Sequence, residues 1–123
     1  MKRKEIGAVG EEAARKFLKK RGYKILETNF RCPLGEIDIV ARHRKELVFV
    51  EVRSRTGGEL GEPEESITSK KMRKLRKLAD FYLKTRASKP PQSWRIDVVA
   101  VRLSPEGEVL DLKLIESAVE GEV

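Results

Sequence analysis

The chain has 123 residues, of which 39% are hydrophobic, and its 27 Lys plus Arg against 20 Asp plus Glu give a formal net charge of +7. This length predicts a single domain, 1–123, and the one cysteine excludes an internal disulfide. No apolar run resembles a secretory signal or approaches the roughly 20 residues of a transmembrane helix, so we expect a cytoplasmic protein. The positive charge favours a polyanionic partner, either nucleic acid or an anionic membrane.

The first half of the chain has the pattern of a helix followed by three strands. Apolar residues at helical spacing predict a helix over 4–21, which Gly22 ends. Alternating and apolar runs then predict three strands, at 23–30, 36–42 and 46–55. Turns at 32–35 and 43–45 separate the strands. The third strand has apolar residues on both faces, which is typical of a central, buried strand.

The second half adds a helix and two strands. A Gly-, Glu- and Pro-rich loop at 56–66 precedes a helix over about 68–84, and Pro90-Pro91 lies in a break at 87–93. The remaining predicted elements are two strands, 94–103 and 109–115, followed by a frayed end at about 116–123. Because a helix joins the third and fourth strands, we expect them to pair in parallel. The predicted fold is α/β, a mixed central sheet flanked by helices in the order α-β-β-β-α-β-β.

Two carboxylates on neighbouring strands carry the clearest chemical signal. Asp38 lies in GEIDIV and Glu51 lies in FVEVRSR, one strand later. A hairpin that pairs Arg42 with Glu46 would bring Asp38 within reach of Glu51. Two carboxylates in an apolar sheet repel each other, so the site needs a cation or a bound proton. An oxygen-rich site of this kind suits Mg²⁺, which also binds waters and phosphate oxygens.

Three further residues stand near this pair in the predicted fold. Period two places Arg53 on the same strand face as Glu51, next to the predicted metal. The alternative interpretation is a simple ion pair of Arg53 with Glu51 or Asp38. Glu11 borders the apolar face of the first helix and can point toward the sheet, whereas Glu12 lies among basic residues and is expected to form solvated ion pairs.

The second helix is strongly basic. Its predicted phosphate-binding residues are Lys70, Lys71, Arg73, Lys74, Arg76 and Lys77. Such residues bind phosphates and release counterions, which favours nucleic acid as the partner. Bulky aromatic residues do not dominate the apolar stripe, which argues against a membrane. The alternative is an ordinary solvated helix face. Tyr82 and Trp94 are predicted to lie in the core.

Several segments together resemble the YraN family, a bacterial family of nuclease-like proteins. They are GAVGEEAARKFLKKRGYKIL, NFR, GEIDIV, LVFVEVRSR, SITSKKMRKLRKLADFYL and WRIDVVAV, which span residues 5 to about 103. That family is similar to the PD-(D/E)xK nuclease superfamily, which includes restriction endonucleases and archaeal Holliday-junction resolvases. The resemblance implies a restriction-endonuclease-like, three-layer fold.

The resemblance also implies site residues and an activity. Asp38 matches the motif aspartate, Glu51 the motif acidic residue, and Glu11 an acidic residue on the first helix, while the backbone carbonyl of Val52 is a further metal ligand. The implied activity is Mg²⁺- or Mn²⁺-dependent endonuclease cleavage of nucleic acid, with DNA favoured over RNA, branched DNA as one substrate, and a homodimer as the assembly.

One position departs from the superfamily pattern, because Arg53 stands where a lysine is usual. Arginine stays charged and cannot act as a base, although it can stabilise charge on a phosphate. Lys71 could take the place of the missing lysine if it reaches the site. The competing prediction is a nucleic-acid-binding protein that kept the fold and lost catalysis. A third class, a protein-interaction adaptor, predicts no salt-dependent DNA binding.

Overall fold

The structure is a computed structural model that describes residues 2–56, 68–86 and 93–122. Its elements in chain order are α1 (Arg3–Lys20), β1 (Lys24–Cys32), β2 (Gly35–His43), β3 (Glu46–Thr56), α2 (Ser69–Thr85), β4 (Ser93–Leu103) and β5 (Val109–Glu122). The predicted order of two helices and five strands is confirmed. Most of the predicted loop at 56–66 and of the break at 87–93 lies outside the described residues.

The five strands form one sheet in the order β1-β2-β3-β4-β5. The pairs β1–β2, β2–β3 and β4–β5 are antiparallel, whereas β3 and β4 are parallel, as the intervening helix predicted. Because α2 lies in the connection between the parallel strands, this mixed sheet has the helix-flanked arrangement expected from the sequence. None of the helices in the described part of the chain combines the length and apolar character that a membrane crossing requires.

Each face of the sheet has its own apolar cluster. On one face Phe49 packs with Leu78 and Tyr82 of α2 and with Trp94. On the other face Val50 packs with residues of α1 and β4, including Leu18 and Val99. Adjacent residues of β3 are therefore buried on opposite faces, which confirms its predicted central position. The predicted core positions of Tyr82 and Trp94 are also confirmed.

The α1 helix lies directly on β3 at one glycine. A Cβ on Gly10 would overlap the hydroxyl of Ser54 and stand 2.7 Å from its Cβ, so only glycine allows this approach. The helix ends at Lys20, and Gly22 follows with a φ of +88°, the left-handed conformation that commonly terminates helices. The close approach at Gly10 thus holds the first helix against β3, and Gly22 ends the helix.

The register of the β2–β3 hairpin differs from the prediction by one residue. His43 pairs with Glu46, and Arg44 and Lys45 form a two-residue turn with φ values of +52° and +69°. The predicted three-residue turn, with Arg42 opposite Glu46, is wrong. Two successive residues with positive φ form a type I′ turn, whose twist matches that of the strands. Such turns usually contain Asn and Gly, so Arg44 and Lys45 give no sequence signal for one.

The alternation of β2 also differs from the prediction. Strict period two placed Asp38 and Val40 on one face and Ile37 with Ile39 on the other. Instead, Ile37 and Val40 pack in the cluster on the α2 side, whereas Ile39 packs on the α1 side. The strand therefore changes phase between Ile37 and Ile39, where Asp38 lies.

The last strand is longer than predicted. β5 continues to Glu122, so the predictions that it ends at 115 and that 116–123 fray do not match the structure. A register shift between Ile96 and Val98 and a positive φ at Ser117 interrupt the pairing, which resumes beyond them. The interruption is held by Asp97 Oδ1, which accepts a hydrogen bond from the Ser117 backbone N–H at 2.9 Å. A bulge interrupts the alternation of apolar and polar residues, so the sequence pattern predicts that the strand ends there.

Candidate functional site

Asp38 lies where strands β2 and β3 separate. Their backbone pairing ends at Ile39 and Val50. Beyond that pair, Asp38 Oδ2 accepts a hydrogen bond from the backbone N–H of Val52 at 2.7 Å. A side-chain carboxylate thus replaces a strand as the partner of this N–H, which fixes the carboxylate at the free edge of β3.

The separated strands open into a cleft of about 720 Å³. One wall is the N-terminal half of α1 and the other is the free edge of β3, residues 51–56. The predicted catalytic and metal-binding residues all line it: Glu11, Asp38, Glu51, Val52 and Arg53. Arg3 and Arg55 also line the cleft and add positive charge around the carboxylates.

Two carboxyl groups of the cleft, those of Asp38 and Glu11, have raised pKa values. Burial is the largest of the effects that together raise the pKa of Asp38 to about 7; the hydrogen bond from Val52 lowers this pKa, and the nearby carboxylates of Glu51 and Glu11 raise it. Burial also raises the pKa of Glu11, against a hydrogen bond from the Asn29 side chain. A cation between these groups would favour their charged forms, so the cleft is electrostatically suited to bind one.

The donor chemistry fits a hard divalent ion with few protein ligands. Asp38, Glu51 and the Val52 carbonyl offer oxygens only, and Mg²⁺ commonly takes one or two carboxylates together with water and phosphate oxygens. Across residues 2–56, 68–86 and 93–122, no three His, Cys, Asp or Glu side chains form a closed metal cage. An open site of this type is the one that leaves room for a phosphate ligand.

The α2 helix contributes a lysine to the cleft carboxylates. Lys71 Nζ lies 2.9 Å from Glu51 Oε2, and the two side chains are 28% and 15% exposed. The start of the helix is fixed by Thr68, whose hydroxyl accepts a hydrogen bond from the Lys71 backbone N–H at 3.1 Å. The condition under which Lys71 could replace the missing lysine, that it reaches the site, is therefore met.

Arg53 lines the same cleft but forms neither of the ion pairs that were the alternative interpretation. Among the ion pairs of the described segments, Glu51 pairs with Lys71, while Asp38 is bound by the Val52 N–H. Glu12, in contrast, forms the solvated ion pairs predicted for it, with Arg15 and Lys16. Arg53 is partly exposed, so its guanidinium is accessible to a ligand in the cleft.

Comparison with known proteins places the chain in a family. The profile described as "Uncharacterised protein family UPF0102" matches residues 10–101. The chain belongs to the UPF0102 family. A UPF0102 protein of Caldicellulosiruptor saccharolyticus is 45% identical over 118 residues, which cover 96% of this chain and 99% of that relative. One of Moorella thermoacetica is 47% identical over 118 residues, covering 96% and 98%. The resemblance to the YraN family, which is UPF0102, is thereby confirmed.

The basic residues of α2 in this UPF0102 chain divide into two groups. Lys71 is partly buried against Glu51. The other five predicted phosphate-binding residues are exposed: Lys70, Arg73, Lys74, Arg76 and Lys77. They therefore form a charged surface outside the cleft, on the helix that also supplies Lys71 to it.

A buried polar network lies toward the β2–β3 turn of the UPF0102 chain. Arg95 is 3% exposed and donates hydrogen bonds to Asp97 at 3.0 Å and to Glu46 at 2.7 Å. Tyr23 donates to Asp97 at 2.7 Å and stacks on His43 with ring centroids 4.0 Å apart. Every buried side-chain polar atom in the described residues has a partner, so this network is closed and structural. The sequence pattern had placed His43 in the turn at 43–45, whereas the structure places it in strand β2 with its side chain buried.

Sequence reasoning missed one residue of the site, Asn29. It lies in the NFR segment that contributed to the family resemblance, but neither periodicity nor charge marked it as functional. Its φ of +53° and its hydrogen bond to Glu11 appear only in the folded chain. The available signal was an asparagine inside a predicted strand, since asparagine is the non-glycine residue that most readily adopts the left-handed conformation.

Proposed function

We propose that this UPF0102 protein binds nucleic acid and hydrolyses its phosphodiester bonds with Mg²⁺ or Mn²⁺, as a homodimer in the cytoplasm. The observation that carries the proposal is the convergence of Asp38, Glu51 and the Val52 backbone at the separated end of two strands. A lysine and an arginine stand beside these oxygens, which is the charge arrangement that phosphoryl transfer needs. The likeness to the PD-(D/E)xK superfamily adds support as a resemblance.

The carboxylates of Asp38 and Glu51 and the carbonyl of Val52 would hold the metal ion. When bound, the ion lowers the pKa of coordinated water and offsets the charge of the phosphate. Asp38 is held in place by the Val52 N–H, so its orientation is set before any ligand arrives. Glu11 assists from α1, directly or through a water molecule.

Lys71 and Arg53 together take the role of the lysine that is usual at the position of Arg53 in the PD-(D/E)xK superfamily. Lys71 approaches from α2, donates hydrogen bonds, and can exchange a proton with the attacking water, which arginine cannot do. Arg53 contacts the scissile phosphate and stabilises the negative charge that develops on it. The exposed basic residues of α2 bind the flanking backbone, and DNA is favoured over RNA.

A second candidate function is nucleic-acid binding without cleavage. The observation that favours it is the Lys71–Glu51 pair, which satisfies Glu51 without a metal ion. Arg53 at the usual lysine position favours it as well. In this alternative the cleft binds phosphate through its cationic side chains, and its carboxylates serve only to orient them.

The deciding experiment compares cleavage of branched DNA, linear DNA and RNA in Mg²⁺ or Mn²⁺ by the wild type and Asp38→Asn. We expect the wild type to cleave and Asp38→Asn to lose activity by a factor of at least about 100. Asp111→Asn, an exposed carboxylate on β5 outside the cleft, is the matched control and should cleave normally. Salt-sensitive binding without cleavage would favour the second candidate, and the absence of both would overturn both proposals. Sedimentation of the same samples tests the homodimer.

A further inference from the structure

Asn29 lies level with the two acidic residues of the cleft, on the next strand. In the β1–β2 ladder, Thr28 pairs with Ile39 and Phe30 with Ile37, so Asn29 stands opposite Asp38. In the β2–β3 ladder, one residue beyond the pair Ile39–Val50, Asp38 is level with Glu51. Asn29, Asp38 and Glu51 thus follow one another across three adjacent strands.

The backbone of Asn29 changes the phase of β1 at this level. Its φ of +53° is left-handed, a conformation that asparagine tolerates better than other non-glycine residues. As a result, Thr28 and Asn29 both line a second cleft under α1, whereas Phe30 packs on the opposite face with α2. Two successive residues on one face are the mark of a bulge.

The phase of β2 changes at the same level. Ile37 packs on the α2 face and Ile39 packs in the cluster on the α1 side, and Asp38 between them lines both the cleft beneath α1 and a small pocket beside Leu75 of α2. Strict alternation from Val40 would place Asp38 on the α2 face alone, away from Glu11. The irregularity of β1 at Asn29 is therefore matched, across the strand pair, by the one that gives Asp38 access to the α1 side.

The side chain of Asn29 contacts Glu11. Its hydrogen bond lowers the pKa of Glu11, in opposition to burial. Glu11 lines both clefts, and Asn29 lines the second of them, which has a volume of about 500 Å³. Asn29 thus approaches Glu11 from the side of α1 that lies away from Glu51, and so limits the directions in which the Glu11 carboxylate can turn.

We propose that Asn29 is a positioning residue of the site, whose left-handed backbone turns Asp38 toward α1 and whose amide holds Glu11 beside it. This inference rests on the proposed function in one respect, namely that Glu11 and Asp38 act together on a metal ion. Asn29 itself touches neither metal nor substrate. It acts through the two carboxylates, from a strand that contributes no residue to the lining of the main cleft.

Two substitutions separate the backbone and side-chain roles. Asn29→Gly keeps the left-handed conformation and removes the amide, whereas Asn29→Ala removes both. We expect Mn²⁺ affinity, measured by electron paramagnetic resonance without nucleic acid, to fall about 10-fold in Asn29→Gly and further in Asn29→Ala. Thr28→Ala, which alters the neighbouring exposed residue of the same strand, is the control and should bind Mn²⁺ as the wild type does.

A double-mutant cycle tests whether the amide acts through Glu11. In a Glu11→Gln background, Asn29→Gly should cause no further loss of Mn²⁺ affinity, because the carboxylate that the amide positions is already gone. A merely structural role would give additive losses. Additive losses, or an Asn29→Gly variant with unchanged Mn²⁺ affinity, would overturn the proposal.

A second measurement keeps this test independent of the proposed function. The position of the Glu11 side chain, compared in metal-free crystal structures of the wild type and Asn29→Gly, should change because the amide that holds it is lost. If the wild type fails to bind Mn²⁺, the metal-dependent function is overturned and this comparison alone decides the role of Asn29. An unchanged Glu11 side-chain position in that case would overturn the positioning role.

Discussion

Lys71 on α2 and Glu51 on β3 form an ion pair of 2.9 Å beside the cleft that Glu51 lines, with both side chains mostly buried. A metal ion that binds Glu51 would therefore compete with the lysine ammonium for the same carboxylate. The pair joins the basic helix to the carboxylates of the cleft, so two features that were separate in the sequence are in contact in the fold.

The first prediction concerns the opposite effects of Lys71 on metal affinity and on the rate of cleavage. Lys71→Ala should bind Mn²⁺ a few-fold more tightly, because an ion pair worth up to about 1 kcal/mol no longer competes for Glu51. Cleavage should slow by a factor of about 100 or more, because the group that exchanges a proton with water is lost. Electron paramagnetic resonance and single-turnover cleavage measure the two effects.

Lys84→Ala is the matched control for this experiment, since it removes the same charge from an exposed position at the far end of the same helix. It should leave both Mn²⁺ affinity and the cleavage rate at saturating nucleic acid unchanged. Weaker Mn²⁺ binding in Lys71→Ala would contradict the competition between lysine and metal.

The second prediction concerns the contact of α1 with β3. Gly10→Ala should destabilise the fold by about 1–3 kcal/mol, because the added methyl group overlaps both side-chain atoms of Ser54 and forces the helix away from the strand. Glu11, the next residue, should move with the helix, and this displacement should weaken Mn²⁺ binding. Denaturant unfolding and Mn²⁺ titration provide the measurements.

Two controls make the Gly10 result specific. Gly7→Ala places a methyl group where no atom lies within 4 Å, so it should leave the free energy of unfolding unchanged or raise it by up to about 1 kcal/mol through helix propensity. Gly10→Ala combined with Ser54→Gly should recover much of the lost stability. If Gly10→Ala alone proves neutral, the close approach of the two elements is wrong.

The elements, and the residues that meet in the cleft, were predictable from the sequence, because both depend on local patterns. The helices follow from 3.6-residue periodicity, and the parallel pairing of β3 and β4 follows from the helix between them. Asp38 and Glu51 stand out because carboxylates are unusual inside apolar strands. An error of one residue in the register of the hairpin does not change these predictions.

The geometry of the site was not predictable, because it depends on backbone conformations that carry no periodic signal. The hairpin turn uses left-handed Arg44 and Lys45, so the register moved by one residue. Left-handed Asn29 accompanies the change of phase between Ile37 and Ile39, which strict alternation does not contain. The direction of Lys71 toward Glu51 depends on tertiary packing of α2, which spacing alone cannot give.

The third prediction concerns the exposed basic surface of α2. If Arg73 and Arg76 each bind one backbone phosphate, then Arg73→Ala or Arg76→Ala should reduce the slope of log K against log salt by about 0.9 for duplex DNA. Binding should weaken equally for different sequences, because phosphate contacts carry no base information. Fluorescence anisotropy at several salt concentrations measures both effects.

Lys84→Ala serves as the charge-matched control for the salt experiment. Lys84 lies at the far end of α2 and pairs with Asp80 at 2.9 Å, so it should contribute no phosphate contact. Its removal is expected to leave the slope unchanged. An equal change of slope for Lys84 and Arg73 would indicate a general effect of net charge rather than a binding surface.

The fourth prediction concerns the pH dependence of stability. Burial, followed by the charges of Arg95 and Arg44, lowers the pKa of His43 below its ordinary value of 6.5. The unfolded chain therefore takes up a proton at a higher pH than the folded chain. The resulting stability is present above pH 6.5 and is lost as the pH falls through the lowered pKa of the folded state.

Asp38 acts in the opposite direction in an overlapping range, so His43 must be isolated by substitution. Because the pKa of Asp38 is raised to about 7, the folded chain holds a proton that the unfolded chain releases, and stability increases as the pH falls through 7.

His43→Gln keeps an acceptor for Arg95, whose Nη2 lies 2.6 Å from His43 Nδ1, but cannot titrate. The wild type should therefore lose more unfolding free energy than His43→Gln between pH 7 and pH 5, as measured by denaturant unfolding. Since this chain has a single histidine, an identical loss in both proteins would mean that His43 is protonated equally readily in the folded and unfolded states, and the buried network would have to admit the charge.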